Sequence, residues 1–169
     1  MDGDFEAASS GSVSSSDLVS LRTGAVVIKG RHSSTGWQTP DQGSIGGSEV
    51  HSGSAAAQVI DESRQYRLFS QDIPLKEIPV GTKLHLSAWV KGKDLAKGPE
   101  SWQVGCVRFM AIVDGKTEYI SSPNLLGTFD WRQETVEFIV PEKLRKLSVQ
   151  VGSNGASGTV WIDEVDVSR

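Results

Sequence analysis

Carboxylates lie at both ends of the sequence, each close to apolar residues. The opening segment places Glu6 next to Phe5, and the closing segment alternates apolar residues with Asp163, Glu164 and Asp166. Alternation of this kind is typical of a half-buried β-strand. If the two segments meet in space, they bring oxygen ligands together, and oxygen ligands suit calcium. The alternative is a pair of edge strands that carry ordinary surface acids.

Three short segments follow an order that resembles one family pattern. They are residues 3–6 (Gly-Asp-Phe-Glu), 50–56 (Val-His-Ser-Gly-Ser-Ala-Ala) and 161–165 (Trp-Ile-Asp-Glu-Val). Together they resemble the β-jelly-roll carbohydrate-binding modules, the group that includes families 4, 9, 16 and 22, over nearly the whole chain. The resemblance implies jelly-roll topology and a structural calcium ion. The metal ligands that it implies are Asp4 (through its backbone oxygen), Glu6, Ser54 and Asp163.

Aromatic side chains are the first candidates for a sugar site, because sugar rings have apolar C–H faces that pack on aromatic rings. Trp89 faces outward by the alternation of its strand, so it either stacks on a ligand or is covered by a loop. Tyr66 and Tyr119 lie near positions where related modules carry stacking aromatics, although Tyr119 fits a cross-strand packing role equally well. Trp102 fits either role.

Polar candidates complete the predicted groove, because sugar hydroxyls need polar partners of fixed direction. Arg108 is outward on the longest predicted strand, and Gln150 and Lys146 are outward on a strand where related modules place polar contacts. Gln103 lies nearby in sequence, and Trp37 either lines a cleft edge or plugs the end of the sandwich. The alternative for each polar residue is a solvated sheet face.

Composition narrows the class of protein. The chain has 169 residues, which predicts one domain over 1–169, and its net charge of −4 disfavours nucleic-acid or anionic-membrane surfaces. No apolar run approaches the length of a membrane span, and the acidic, Ser-rich start does not resemble a signal peptide. A secreted or cell-surface role therefore requires a larger precursor. Cys106 is the only cysteine and is interpreted as a buried small side chain.

Short alternating segments with turn residues between them predict an all-β sandwich. Residues 84–91 alternate with Leu84 and Leu86 inward, and residues 103–113 form the longest predicted strand. Asp114-Gly115 is a strong two-residue hairpin signal. Residues 7–20, 30–48, 92–101 and 122–130 are predicted loops, 152–158 a turn, and 24–29 a strand.

The sequence predicts a non-catalytic carbohydrate-binding module. It would bind a plant or microbial polysaccharide of β-glucan or xylan type and target an attached glycoside hydrolase, as a monomeric domain. The alternative is a structural or interaction jelly roll without sugar binding, which the outward Met110 and Ile112 favour. Enzymatic function is not expected, because no nucleophile elbow, P-loop, dinucleotide fingerprint or metal-ligand histidine spacing is present.

Overall fold

The computed structural model describes residues 25–26, 37–53 and 55–169. Strands dominate this part of the chain. They are β1 (Ala25–Val26), β2 (Gly43–Gly46), β3 (Ala56–Asp61), β4 (Tyr66–Asp72), β5 (Lys83–Ala96), β6 (Gly105–Val113), β7 (Lys116–Ser121), β8 (Gly127–Ile139), β9 (Leu144–Asn154) and β10 (Ser157–Ser168). Within the described ranges, no helix is long and apolar enough to cross a membrane.

The strands form two antiparallel sheets. The six-stranded sheet has the order β2-β3-β10-β5-β8, with β1 paired to the end of β10, and the four-stranded sheet has the order β4-β9-β6-β7. Sequence neighbours such as β3 and β4, or β5 and β6, therefore lie in different sheets. This is the sandwich that the sequence predicts, and the crossovers give it jelly-roll character.

The core fills the space between the sheets. Alternation places one side of each long strand inward, so β5 contributes Leu84 and Leu86 and β6 contributes Phe109, all fully buried. Phe109 packs against Phe138 of β8, with ring centroids 5.6 Å apart. The inward and outward residues predicted for β5 and β6 are confirmed.

A bulge in β10 breaks the simple alternation of the closing strand. The register against β5 shifts between Asp163 and Asp166, and Glu164 has a φ of 46°. The bulge returns Val165 and Val167 to the core after Val160 and Ile162. It also leaves Asp163 on the outer side of the sheet, at the position paired with Trp89.

Several predicted boundaries are wrong. The predicted loop over 122–130 ends earlier, because β8 begins at Gly127, and the predicted turn over 152–158 shrinks to the two residues between β9 and β10. Strand β2 lies within the predicted loop over 30–48. The predicted hairpin at Asp114-Gly115 is confirmed, with φ values of 49° and 79° that fit a type I′ turn. Residues 7–20 lie outside the described ranges, as does most of the predicted strand 24–29.

Candidate functional site

A cleft of about 480 Å³ lies on the outer face of the four-stranded sheet. Its lining combines aromatic, amide and hydroxyl side chains with one cation. The lining residues are Tyr66, Trp102, Val104, Cys106, Arg108, Tyr119, Ser121, Asn124 and Asn154. Four strands and the segments that precede and follow β6 and β7 therefore contribute to one site.

Strand register brings the central residues together. Arg108 of β6 lies between Gln150 of β9 and Ser121 of β7. Tyr66 of β4 is opposite Asn154 of β9. Side chains at paired positions share a face of the sheet, so these five residues all point away from the core.

Aromatic rings stand on both sides of the cleft. Tyr66 and Trp102 stack with ring centroids 5.9 Å apart and an interplanar angle of 16°, and both rings are about half exposed. Tyr119 stands across the sheet on β7 and is 57% exposed. Apolar ring area of this size, left open to water in a concave place, favours a ligand with an apolar face.

Arg108 lies at the floor of the cleft and is only 7% exposed. Its Nε donates a hydrogen bond to Gln150 Oε1 at 2.8 Å, and its Nη2 donates to Asn154 Oδ1 at 3.4 Å. The guanidinium also lies over the Tyr119 ring, 4.3 Å from the centroid. The sequence placed Gln150 among the ligand contacts, and in the structure it holds Arg108 instead of lining the cleft.

The segment before β6 positions Trp102. Gly98 N donates to Gln103 O at 2.9 Å, Gln103 N donates to Glu100 O at 3.1 Å, and Glu100 N donates to Gln103 Oε1 at 2.9 Å. Asn154 Nδ2 then donates to Trp102 O at 2.9 Å. Gln103, predicted as a sugar contact, therefore shapes the turn that carries the neighbouring Trp102.

Cys106 is buried, as predicted, but it belongs to the cleft floor. It lies on the outward side of β6, opposite Gly152 of β9, and is 4% exposed. Burial raises the pKa of its thiol to about 11, and the nearby positive charge of Arg108 offsets only part of that rise. A thiol held protonated in this way is a weak nucleophile.

Two predicted aromatic contacts lie elsewhere. Trp89 does face outward, but on the six-stranded sheet, so the prediction that it shares a groove with Tyr66 is wrong. Alternation shows that a residue faces away from the core without showing to which sheet its strand belongs. Trp37 is 2% exposed and packs in the core, so its predicted place at a cleft edge is also wrong.

Lys146 shares the outer face of β9 with Gln150 but lies outside the cleft. It is four residues further along the strand, or roughly 13 Å at the usual rise per residue. Its Nζ forms an ion pair with Asp72 Oδ2 at 3.2 Å. This pair leaves the lysine at the far end of the sheet.

The outer face of the six-stranded sheet carries a second aromatic group, covered by residues 47–53. The His51 ring stacks on Trp89, with centroids 3.8 Å apart and an interplanar angle of 12°. The Trp131 ring makes a T-shaped contact with the same imidazole, with ring centroids 5.7 Å apart. His51 Nδ1 is 2.9 Å from Glu164 Oε2. Trp89 is thus covered by a loop, one of the two alternatives that the sequence left open.

Asp163 is completely buried beneath this loop. Its Oδ2 accepts hydrogen bonds from His51 N at 2.9 Å and Ser52 N at 3.1 Å, and its Oδ1 accepts one from Glu164 N at 2.8 Å. The middle and closing segments therefore meet here, as the metal site implied by the resemblance requires. The other three predicted metal ligands, Asp4, Glu6 and Ser54, lie outside the described residues.

The fit of Asp163 to calcium is partial. An ionised carboxylate offers about four lone-pair sites, and the three N–H donors leave roughly one of them, on Oδ1. Within the described ranges, no group of three or more His, Cys, Asp or Glu side chains is arranged to hold a metal ion.

Sequence reasoning missed part of the cleft. Asn154 continues the outward series of Gln150 on β9, but the Gly-rich stretch 152–158 favoured a turn and hid it. Ser121 and Asn124 follow the predicted hairpin strand, where nothing in the sequence separates a lining residue from a loop residue. The signal for Asn154 was available in the alternation of β9.

The lining residues suit contacts with a sugar ring. Rings can stack on the face of a sugar, while amides, hydroxyls and the guanidinium meet groups on its edge. Hydrolysis of a glycosidic bond normally requires two carboxyl groups across the bond. No residue that lines the described cleft carries one.

Solved structures share this fold. The chain superposes on the C-terminal family 22 carbohydrate-binding module of Clostridium thermocellum Xyn10B with a TM-score of 0.60 and 14% identity, covering 78% of this chain and 85% of that one. The CBM22-1 domain of Paenibacillus barcinonensis Xyn10C gives a TM-score of 0.55 with 16% identity, over 79% and 85% of the two chains. The predicted resemblance is confirmed at the level of the fold.

Enzymatic proteins also appear among the similar structures. A cyclase from Fischerella sp. TAU gives a TM-score of 0.53 with 14% identity, over 79% of this chain and 83% of that one. No protein-family profile and no curated protein sequence matches the chain. The comparisons thus show a β-sandwich fold that the chain shares with carbohydrate-binding modules.

Proposed function

We propose that the protein is a non-catalytic module that binds a polysaccharide or oligosaccharide in the cleft of the four-stranded sheet. The observation that carries the proposal is the arrangement of Tyr66 and Trp102 on one side, Tyr119 on the other and Arg108 between them. A pyranose ring that stacks on the aromatic pair places its edge groups toward the amide and guanidinium donors.

The structural comparisons support a chain-like glycan. In the similar Xyn10B module, amino acids in a cleft have a role in ligand binding. The similar Xyn10C domain binds xylan. We propose xylan or β-glucan as the class of polymer, and attachment to a glycoside hydrolase in a secreted or cell-surface protein as the context. Tethering to a surface-bound module raises the local concentration of the enzyme at its substrate.

Affinity electrophoresis against soluble polysaccharides tests the proposal. The panel is xylan, mixed-linkage β-glucan, laminarin, glucomannan and galactan. Tyr66→Ala and Tyr119→Ala each remove one cleft ring, and we expect each to weaken binding by at least about 1 kcal/mol, or roughly fivefold, through lost stacking. Trp89→Ala is the matched control, because that ring lies on the other sheet.

The Trp89→Ala control also tests whether Trp89 contributes to the same sugar site as Tyr66, as the sequence predicted, although the structure has the two rings on different sheets. Retardation that survives Trp89→Ala but falls in Tyr66→Ala and Tyr119→Ala places the ligand in the cleft. Loss in Trp89→Ala alone would move the site to the six-stranded sheet. Absence of retardation by every glycan, with an intact thermal melt, would refute sugar binding and favour a structural or interaction jelly roll.

We also propose a structural calcium ion at Asp163, with Asp4, Glu6 and Ser54 as the remaining ligands. The contact of residues 51–52 with Asp163 supports this proposal, because it brings the middle and closing segments together. An ion that binds only the folded state raises its stability by mass action. The melting temperature should therefore fall with a chelator and recover with added calcium.

A further inference from the structure

We propose that the cleft prefers acidic glycans, because Arg108 is built to receive the carboxylate of a uronic acid residue. This inference rests on the proposed function and names the chemical class of its ligand.

Arg108 is the only buried cation in the described part of the chain. Buried charges are usually paired with an opposite charge, because removing an ion from water is unfavourable. Two more exposed arginines do have carboxylate partners, Arg67 with Asp41 and Arg132 with Glu134. The partners of Arg108 are neutral: two amide oxygens and one aromatic ring. In the described ranges, no carboxylate forms an ion pair with it.

The hydrogen bonds of Arg108 leave part of its forked guanidinium group available to a ligand. Gln150 takes the Nε–H and Asn154 takes one N–H of Nη2. An arginine has five N–H donors. The two of Nη1 and the second of Nη2 therefore have no partner among the described residues. Adjacent donors on Nη1 and Nη2 match the two oxygens of a carboxylate.

The surroundings hold this fork in place. The amides of Gln150 and Asn154 fix its plane, and the ring of Tyr119 packs against its face. The cleft presents no lining carboxylate that would compete for the cation or repel an anion. A preorganised cation of this kind loses little freedom when a ligand arrives.

Uronic acid chemistry fits the rest of the cleft. The carboxylate of a uronic acid projects from the ring edge, so the ring face can stack on Tyr66 and Trp102 while the carboxylate reaches the floor. A neutral sugar would instead give the guanidinium only hydroxyl oxygens. A carboxylate adds an opposite charge and two parallel acceptor oxygens that match the guanidinium, which a single hydroxyl oxygen does not.

Matched polymers test the inference with the parent protein. Glucuronoxylan and polygalacturonate are each compared with their carboxyl-reduced forms, which keep the backbone and lose the charge, by isothermal titration calorimetry. We expect at least one acidic form to bind about 10- to 100-fold more tightly than its reduced form, from the strength of charge-assisted hydrogen bonds. Equal affinity for both members of each pair would overturn the inference.

The Arg108→Gln variant tests whether Arg108 is responsible for the preference for acidic glycans. It should bind the acidic and reduced forms with similar affinity, while Arg108→Lys, which keeps the charge but lacks the fork, retains a reduced preference. An unchanged preference in Arg108→Gln would overturn the assignment. If that variant does not fold, the comparison made with the parent protein still decides.

The two proposals fail differently. Binding of neutral or carboxyl-reduced glycans without an acidic preference refutes the inference but keeps the carbohydrate-binding function. Absence of binding to all neutral, acidic and reduced polymers refutes both. A sulfated glycan of the same backbone is a further arm, because binding of sulfate but not of carboxylate would overturn the uronic acid assignment.

Discussion

Substitution of Asp163 by alanine should release the loop over 47–53 from the six-stranded sheet. The carboxylate accepts three N–H groups, from His51, Ser52 and Glu164, at 2.9, 3.1 and 2.8 Å. Alanine leaves all three donors without this acceptor. Solvent can reach the first two only if the loop lifts, which would also separate His51 from Trp89.

The expected loss of stability follows from these contacts. A hydrogen bond to a charged group contributes about 1.5–3 kcal/mol, and an unsatisfied buried donor costs about 1–3 kcal/mol. The three contacts are not additive, because lifting the loop lets water replace part of the loss. We expect the free energy of unfolding to fall by about 2–4 kcal/mol. For a domain of this size, that lowers the melting temperature by roughly 4–16 °C.

Urea denaturation followed by tryptophan emission measures both effects. The midpoint reports the loss of stability. The emission of the folded state, to which all five tryptophans contribute, should change if Trp89 loses its contact with His51. Glu118→Ala is the matched control, since it removes a carboxylate from the exposed strand β7. The control should stay within about 0.5 kcal/mol of the parent protein.

The same measurement in chelator separates hydrogen bonding from calcium binding. If the three N–H contacts account for the effect, Asp163→Ala loses equal stability with and without chelator. If a calcium ion accounts for it, chelator destabilises the parent protein and the difference between parent and variant shrinks. A loss below about 1 kcal/mol in both conditions would refute the reasoning.

Two further predictions concern the cleft floor and the strand beside it. Cys106 should react with iodoacetamide at pH 8 about 100-fold more slowly than an ordinary thiol, because a pKa raised from 9.0 to about 11 lowers the thiolate fraction by that factor. The reaction should accelerate as the pH rises toward 11. A rate equal to that of free cysteine would contradict the burial of this thiol. Gly152→Ala should destabilise the protein by more than about 2 kcal/mol, because φ is 134° and the added Cβ would lie 2.4 Å from the Arg67 carbonyl oxygen. Gly46→Ala, where a Cβ meets open space, is its control in a thermal melt, and similar melting of both variants would contradict the prediction.

The sequence correctly predicted which residues face away from the core. It was less reliable in predicting which of these residues lie together in one site. Strand alternation correctly placed Arg108 and Gln150 outward on β6 and β9. It also placed Trp89 outward, but the outward faces of the two sheets point in opposite directions. Sheet membership depends on long-range pairing between β10 and β5, and no local pattern contains that information.

Loop-borne residues were the hardest to assign. Trp102 fits either a core or a surface role by its sequence, and its position depends on hydrogen bonds around Gln103 together with one from Asn154. Asn154 was hidden by a Gly-rich stretch that resembles a turn. The bulge at Glu164 could not be predicted from the sequence either. Its φ of 46° is of the kind that glycine favours, but the residue is a glutamate.

The paired strand registers around Arg108 have a consequence for how the site can change over time. Most of the lining side chains rise from backbone that is already fixed by interstrand hydrogen bonds, so their replacement alters the ligand without altering the frame. Trp102 lies outside the strands, and its place depends on one turn and on the Asn154 amide. A substitution at Ser121 should therefore change recognition at one residue only, whereas substitutions at Asn154 change a ring and a guanidinium together. Asn154 therefore links two residues that line the cleft, Trp102 and Arg108.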